Sequence, residues 1–121
     1  MADSDVVLWH NPRCSKSRQA LELLRSHGVE ARVVPYLDEP PSAGEIERVL
    51  ALLGIEPRDL MRKKEDAYAD LGLDDPTRTR AELIAAMIER PILIERPVAI
   101  RGDRAVLGRP PEKVLELLPP R

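Results

Sequence analysis

The chain has one cysteine, Cys14, inside the run His10-Asn11-Pro12-Arg13-Cys14-Ser15-Lys16-Ser17-Arg18. An apolar run, Val6 to Trp9, precedes this segment and a helical stripe follows it, so the thiol falls on a loop that enters a helix. Three influences there act in one direction. The helix start offers backbone N–H groups and the positive end of its dipole. Arg13, Lys16 and Arg18 are nearby cations. His10, at the end of the apolar run, stabilises a thiolate if it is charged or hydrogen-bonded to it. Each lowers the thiol pKa, and the thiolate is the nucleophile. The bland alternative is a small buried hydrophobe, the commoner role of a lone cysteine, but a polar, cationic loop is a poor place to bury one.

The same loop suits an anion, because N–H groups leading into a helix bind oxyanions. The expected chemistry is attack by Cys14 on an oxyanion or on a partner's disulfide. Position 17 is serine, so the spacing is Cys-x-x-Ser and no second thiol is present to resolve an adduct. An external thiol has to do so. Ser17 reads either as a hydrogen-bond donor to the thiolate or as an ordinary first-turn helix residue; spacing alone allows both.

Three arginines stand at breaks between elements: Arg62 after Leu60-Met61, Arg96 before Pro97 and Arg109 before Pro110. Each alone reads as a solvated charge; together they are candidates to fork onto an oxyanion in a way lysine cannot. Arg32, Arg48, Arg80, Arg101, Arg104 and the Lys63-Lys64 pair read as surface charges. Pro97 opens a strand, where a cis or a trans bond is equally compatible with the sequence. His27 reads as a charge partner at a helix C-terminus. No cluster has metal-ligand spacing and no glycine-rich nucleotide loop is present.

The elements that must hold these residues follow from local signals. Val6–Trp9 reads as a buried strand, and Ser17, Ala20, Leu21 and Leu24 as one helical stripe ended by Gly28. Residues 31–34 read as a second strand. Ser42 and Glu45 form a capping box for a helix with Ile46, Val49, Leu50 and Leu53 inward, ended by Gly54. A short helix is expected over 58–63 and a loop over 70–76. Thr79 and Glu82 open another helix, with Leu83, Ile84, Met87 and Ile88 inward, stopped by Pro91. Residues 98–100 and 105–107 read as a hairpin about Gly102. A last helix is expected over 112–118, with Val114, Leu115 and Leu118 on one face. The order is βαβ, a helical insertion over about 42–90, then ββα. The expectation is a single α/β domain of thioredoxin-like βαβ–ββα arrangement, with Cys14 at the first strand-to-helix loop, where open α/β sheets place their chemistry.

Composition excludes other classes. The 121 residues suit one domain, 43% are hydrophobic, and only 2% are aromatic, with no Phe. That leaves an aliphatic core and no stacking platform for single-stranded nucleic acid. The net charge of −2 argues against nucleic-acid binding in general. One cysteine, an acidic start (Met-Ala-Asp-Ser-Asp) without signal-peptide character, and no membrane-length apolar segment make a cytoplasmic protein the expectation.

Five blocks carry a resemblance that covers nearly the whole chain: the Cys14 run, Tyr36-Leu37 before Pro40-Pro41, Leu60-Met61-Arg62-Lys63-Lys64-Glu65, Pro91-Ile92-Leu93-Ile94-Glu95-Arg96-Pro97 and Gly108-Arg109-Pro110-Pro111-Glu112. In these the chain resembles the ArsC family of glutathione- and glutaredoxin-linked arsenate reductases, and most of all its short ArsC-like members. The resemblance implies Cys14 as nucleophile, His10 as the group that helps ionise it, Arg62, Arg96 and Arg109 as ligands of the oxyanion, and Pro97 as a cis-proline. It implies an oxidoreductase of arsenic detoxification that takes arsenate as substrate, glutathione as co-substrate and glutaredoxin as partner, with no bound cofactor. Ser17 stands beside these as a candidate substrate contact. Glu95 departs from the pattern by placing an acid next to Arg96.

Two other functions fit the same fold. A Spx-like regulator of thiol stress binds RNA polymerase; that class typically switches through Cys-x-x-Cys, and Ser17 argues against such a switch though not against a protein-binding role. A general glutathione-dependent thiol reductase needs only the Cys14 loop.

Overall fold

Four strands make one sheet in the order β2-β1-β3-β4, and the pairing directions define the fold. β1 (Val6–Trp9) pairs parallel with β2 (Arg32–Val34) through the crossover helix α1 (Ser15–Ser26). β1 pairs antiparallel with β3 (Val98–Arg101), and β3 pairs antiparallel with β4 (Arg104–Leu107). β1 lies inside the sheet and is an apolar run, of which Val6, Leu8 and Trp9 are buried. This is the thioredoxin-like βαβ–ββα arrangement that the order of elements predicts. The computed structural model describes residues 6–118, so the acidic start at residues 1–5 lies outside the described residues.

By internal contacts the chain divides into two compact units, Met1–Glu39 with Arg96–Arg121, and Pro40–Glu95. In the first, Val6, Leu8, Ala20, Leu24, Val29, Ala99, Val114 and Leu117 form an aliphatic core between the sheet, α1 and the C-terminal helix. The β3–β4 turn is made by Gly102, with φ 58°, and Asp103.

The C-terminal element differs from expectation. It is a 3₁₀ helix over Pro111–Leu117, and it buries Pro111, Val114 and Leu117 rather than Val114, Leu115 and Leu118. A 3₁₀ helix repeats every three residues, so every third side chain faces the core. Two arginines satisfy carbonyls near its end: Arg101 Nη1 donates to Leu117 O at 2.9 Å and Arg104 Nη2 to Glu116 O at 2.8 Å. These two are thus structural rather than idle surface charges.

The second unit holds α2 (Ala43–Leu53), α3 (Asp66–Asp70) and α4 (Arg80–Glu89). α2 and α4 start at the capping boxes Ser42/Glu45 and Thr79/Glu82, and α2 ends on Gly54 in the left-handed region. The expected helix over 58–63 is a shorter 3₁₀ turn, Pro57–Leu60, because Met61 leaves it to bridge antiparallel with Ile94. α3 and a 3₁₀ turn at Pro91–Leu93 are elements the hydrophobic periodicity does not reveal; α3 buries only Ala67 and has no stripe to detect. Among the described residues no helix is long and apolar enough to cross a membrane.

Candidate active site

The Cys14 loop is built by Asn11. Its side-chain Oδ1 accepts the Arg13 N–H at 2.9 Å, and its carbonyl accepts the Cys14 N–H at 3.0 Å. This Asx-type turn returns the chain directly into α1, with Cys14 as N-cap in an extended conformation. Cys14 makes no side-chain capping bond. Arg18 closes the loop from the helix side, its Nη1 donating to Pro12 O at 2.8 Å. The asparagine was legible only as a turn signal; its role in aiming the thiol is the Asx chemistry of that residue type.

Cys14 is partly exposed. Burial pushes its pKa up, but the backbone N–H groups of Ser17 and Lys16 and the guanidinium of Arg96 bond the sulfur and outweigh that, so the net shift is downward. Arg96 is therefore the cation that acts on the thiol. Lys16 acts through its backbone, and Arg18 is engaged with Pro12. Arg96 arrives because β3 pairs with β1: Trp9 faces Val98, which sets the strand start beside the loop that leaves β1. The Arg96–Pro97 bond is cis, and so is Arg109–Pro110, which nothing in the sequence singled out.

His10 and Ser17 are joined by a hydrogen bond. His10 Nδ1 lies 2.7 Å from Ser17 Oγ, and the Asn11 N–H donates to the same oxygen at 3.0 Å. Ser17 is fully buried. Its hydroxyl is committed to this internal cluster, and what it offers the thiol is its backbone N–H. His10 has its pKa lowered by burial, then by Arg25 and Arg18, which favours the neutral ring. Through Ser17 it is linked to the helix turn that follows Cys14.

Arg109 is exposed, and its Nη1 donates to Arg96 O at 3.3 Å, so it stands on the backbone of the residue that bonds the thiol. Gly108 precedes it and donates its N–H to Pro97 O at 2.8 Å. Arg62 belongs to the second unit, where its guanidinium meets two carboxylates, Glu65 and Glu95. Neither acid was recognised as its partner; only the Leu60–Arg62 and Leu93–Glu95 pairing brings Glu95 there. Among the described residues no group of three His, Cys, Asp or Glu side chains is arranged to hold a metal ion.

Chemically, the first unit presents a partly exposed thiol whose pKa is lowered in part by the Arg96 guanidinium, with Arg109 bonded to the Arg96 backbone. Comparison with known proteins places this geometry in context. Residues 9–117 match the ArsC family. The chain is 47% identical over 114 residues to the uncharacterized protein YfgD of Escherichia coli strain K12, covering 93% of this chain and 96% of that one. It is 45% identical over 114 residues to a protein of Haemophilus influenzae named arsenate reductase, covering 93% and 98%. The solved structure of arsenate reductase from Vibrio cholerae superposes with a TM-score of 0.91 at 47% identity, covering 93% of this chain and 97% of that one.

Proposed function

The chain belongs to the ArsC family, and from that premise we propose that it is an arsenate reductase whose nucleophile is the Cys14 thiolate. The observation that carries this reading is the place of Cys14, a partly exposed thiol at the N-cap of α1, where the Ser17 and Lys16 N–H groups and the Arg96 guanidinium hold its pKa down. Donors that stabilise a thiolate also stabilise an oxyanion bound against it.

In this reading Arg96 and Arg109 hold the arsenate, and Arg62 is assigned to the same task by its place in the family block. His10 and Ser17 position the loop. Cys14 sulfur attacks arsenic; an As–O bond breaks and the oxygen leaves as water once protonated, giving a thioarsenate ester. Glutathione sulfur then displaces a second oxygen. A glutaredoxin thiolate attacks that glutathione sulfur, and a disulfide forms between the two. The electron pair of the broken S–As bond stays on arsenic, which passes from As(V) to As(III). Water hydrolyses the remaining Cys14–As bond and releases arsenite and the thiol. The external reductants follow from serine at position 17. Cytoplasmic glutathione and glutaredoxin make the cytoplasm the expected setting.

The test is a coupled assay containing arsenate, glutathione, glutaredoxin and glutathione reductase. Arsenate-dependent NADPH oxidation that disappears in Cys14→Ser supports the proposal; a wild-type rate equal to that variant's refutes it. Reduction of a glutathionylated peptide without arsenate turnover would point to a general thiol reductase, and recovery of RNA polymerase α subunit without either activity to a Spx-like regulator.

A further inference from the structure

Arg62 is held by carboxylates on two sides. Its Nη1 lies 3.0 Å from Glu95 Oε1 and its Nε 3.3 Å from Glu65 Oε2. The three side chains are only 22–28% exposed, so the cluster is partly shielded from water. It is also held by the backbone: Arg62 N–H donates to Leu93 O and Glu95 N–H to Leu60 O, both at 2.7 Å, beside the Met61–Ile94 bridge. Glu95 is thus delivered to Arg62 by strand-like pairing rather than by a chance surface encounter.

A guanidinium offers an oxyanion two bidentate edges, Nε with Nη2 and Nη1 with Nη2. Glu65 takes a donor from the first edge and Glu95 takes one from the second. Neither edge is left whole. One cation with two carboxylates also gives the cluster a net charge of about −1, which opposes an approaching anion. We propose that Glu95 is an affinity-determining residue that competes with the oxyanion for Arg62, so that binding requires the Glu95–Arg62 pair to open. The inference rests on the reading of Arg62 as an oxyanion ligand.

Titration calorimetry with arsenate and with phosphate on the full chain carrying Cys14→Ser, which cannot turn over, tests both statements separately. Adding Glu95→Gln should tighten binding by about 1.5- to fivefold, the range such an ion pair is worth. Glu65→Gln, on the other edge, should act in the same direction and serves if Glu95→Gln does not fold. In the active protein, Glu95→Gln should lower KM for arsenate more than it changes kcat. Unchanged or weaker binding in the carboxylate variants, while Arg62→Ala weakens it, overturns the competition and leaves Arg62 a ligand. Binding unaffected by Arg62→Ala, or absent from every variant, overturns the ligand reading and this inference together.

Discussion

Gly108 is fitted against Pro97. Its N–H donates to Pro97 O at 2.8 Å, and a Cβ at position 108 would stand 2.6 Å from Pro97 Cγ and 3.2 Å from Val114 Cγ1. The glycine is needed for space: the proline ring cannot swing aside as the end of a flexible side chain would. Gly108→Ala is therefore expected to push the Pro97 segment and, with it, the adjoining Arg96. Overpacking of this kind costs about 1–3 kcal/mol. Thermal denaturation should show the loss, and alkylation of Cys14 should shift to higher pH because Arg96 moves from the sulfur.

Ser17→Ala removes the shared oxygen between His10 Nδ1 and the Asn11 N–H, both buried. Leaving buried polar groups without a partner costs about 1–3 kcal/mol each. Chemical denaturation should register a loss of that order. The Ser17 backbone N–H remains, so the thiol should keep most of its acidity, measured as the pH dependence of iodoacetamide alkylation.

Cys14 should react faster than an ordinary cysteine at neutral pH, since its pKa is lowered and the thiolate is the reacting form. Its alkylation rate should rise with pH and reach half-maximum below the ordinary thiol value. Arg96→Ala should move that midpoint upward. Arg104→Ala should leave it in place, because Arg104 is bonded to Glu116 O at the C-terminal helix. Equal midpoints in the two variants would exclude Arg96 as the stabilising cation.

His10 contributes a pH dependence to stability. Burial holds its folded pKa below the ordinary imidazole value of about 6.5. Above about pH 7 the ring is neutral folded and unfolded, and no dependence arises. As pH falls through 6.5 toward the folded pKa, the unfolded chain binds a proton that the folded chain resists, so stability falls over that window and levels below it. His10→Gln should flatten that part of a urea-unfolding series measured from about pH 5 to pH 8.

The helix caps of the second unit act locally. Thr79→Ala should cost about 0.5–2 kcal/mol by freeing the Glu82 N–H from its cap. Restoration by Thr79→Ser in thermal denaturation would assign the loss to the hydroxyl.

The residues themselves determined whatever depends on near neighbours. Cys14 at a helix mouth, the capping boxes at Ser42 and Thr79, the Gly102 turn and the strand–helix–strand opening are short-range signals, and the structure has them where the chain predicts. Elements with one buried residue, such as α3, leave no periodic trace. The C-terminal stripe misled because α and 3₁₀ repeats differ by a fraction of a residue per turn, and packing chose between them. Tertiary structure alone decided who bonds to whom. The pairing of β1 with β3 brings Arg96 to the Cys14 sulfur, the packing of α1 under the loop turns Ser17 toward His10, and the Met61–Ile94 bridge delivers Glu95 to Arg62. Residue types announced a thiolate and cations. Which cation serves the thiolate is a matter of register between strands distant in sequence, and no local pattern records it.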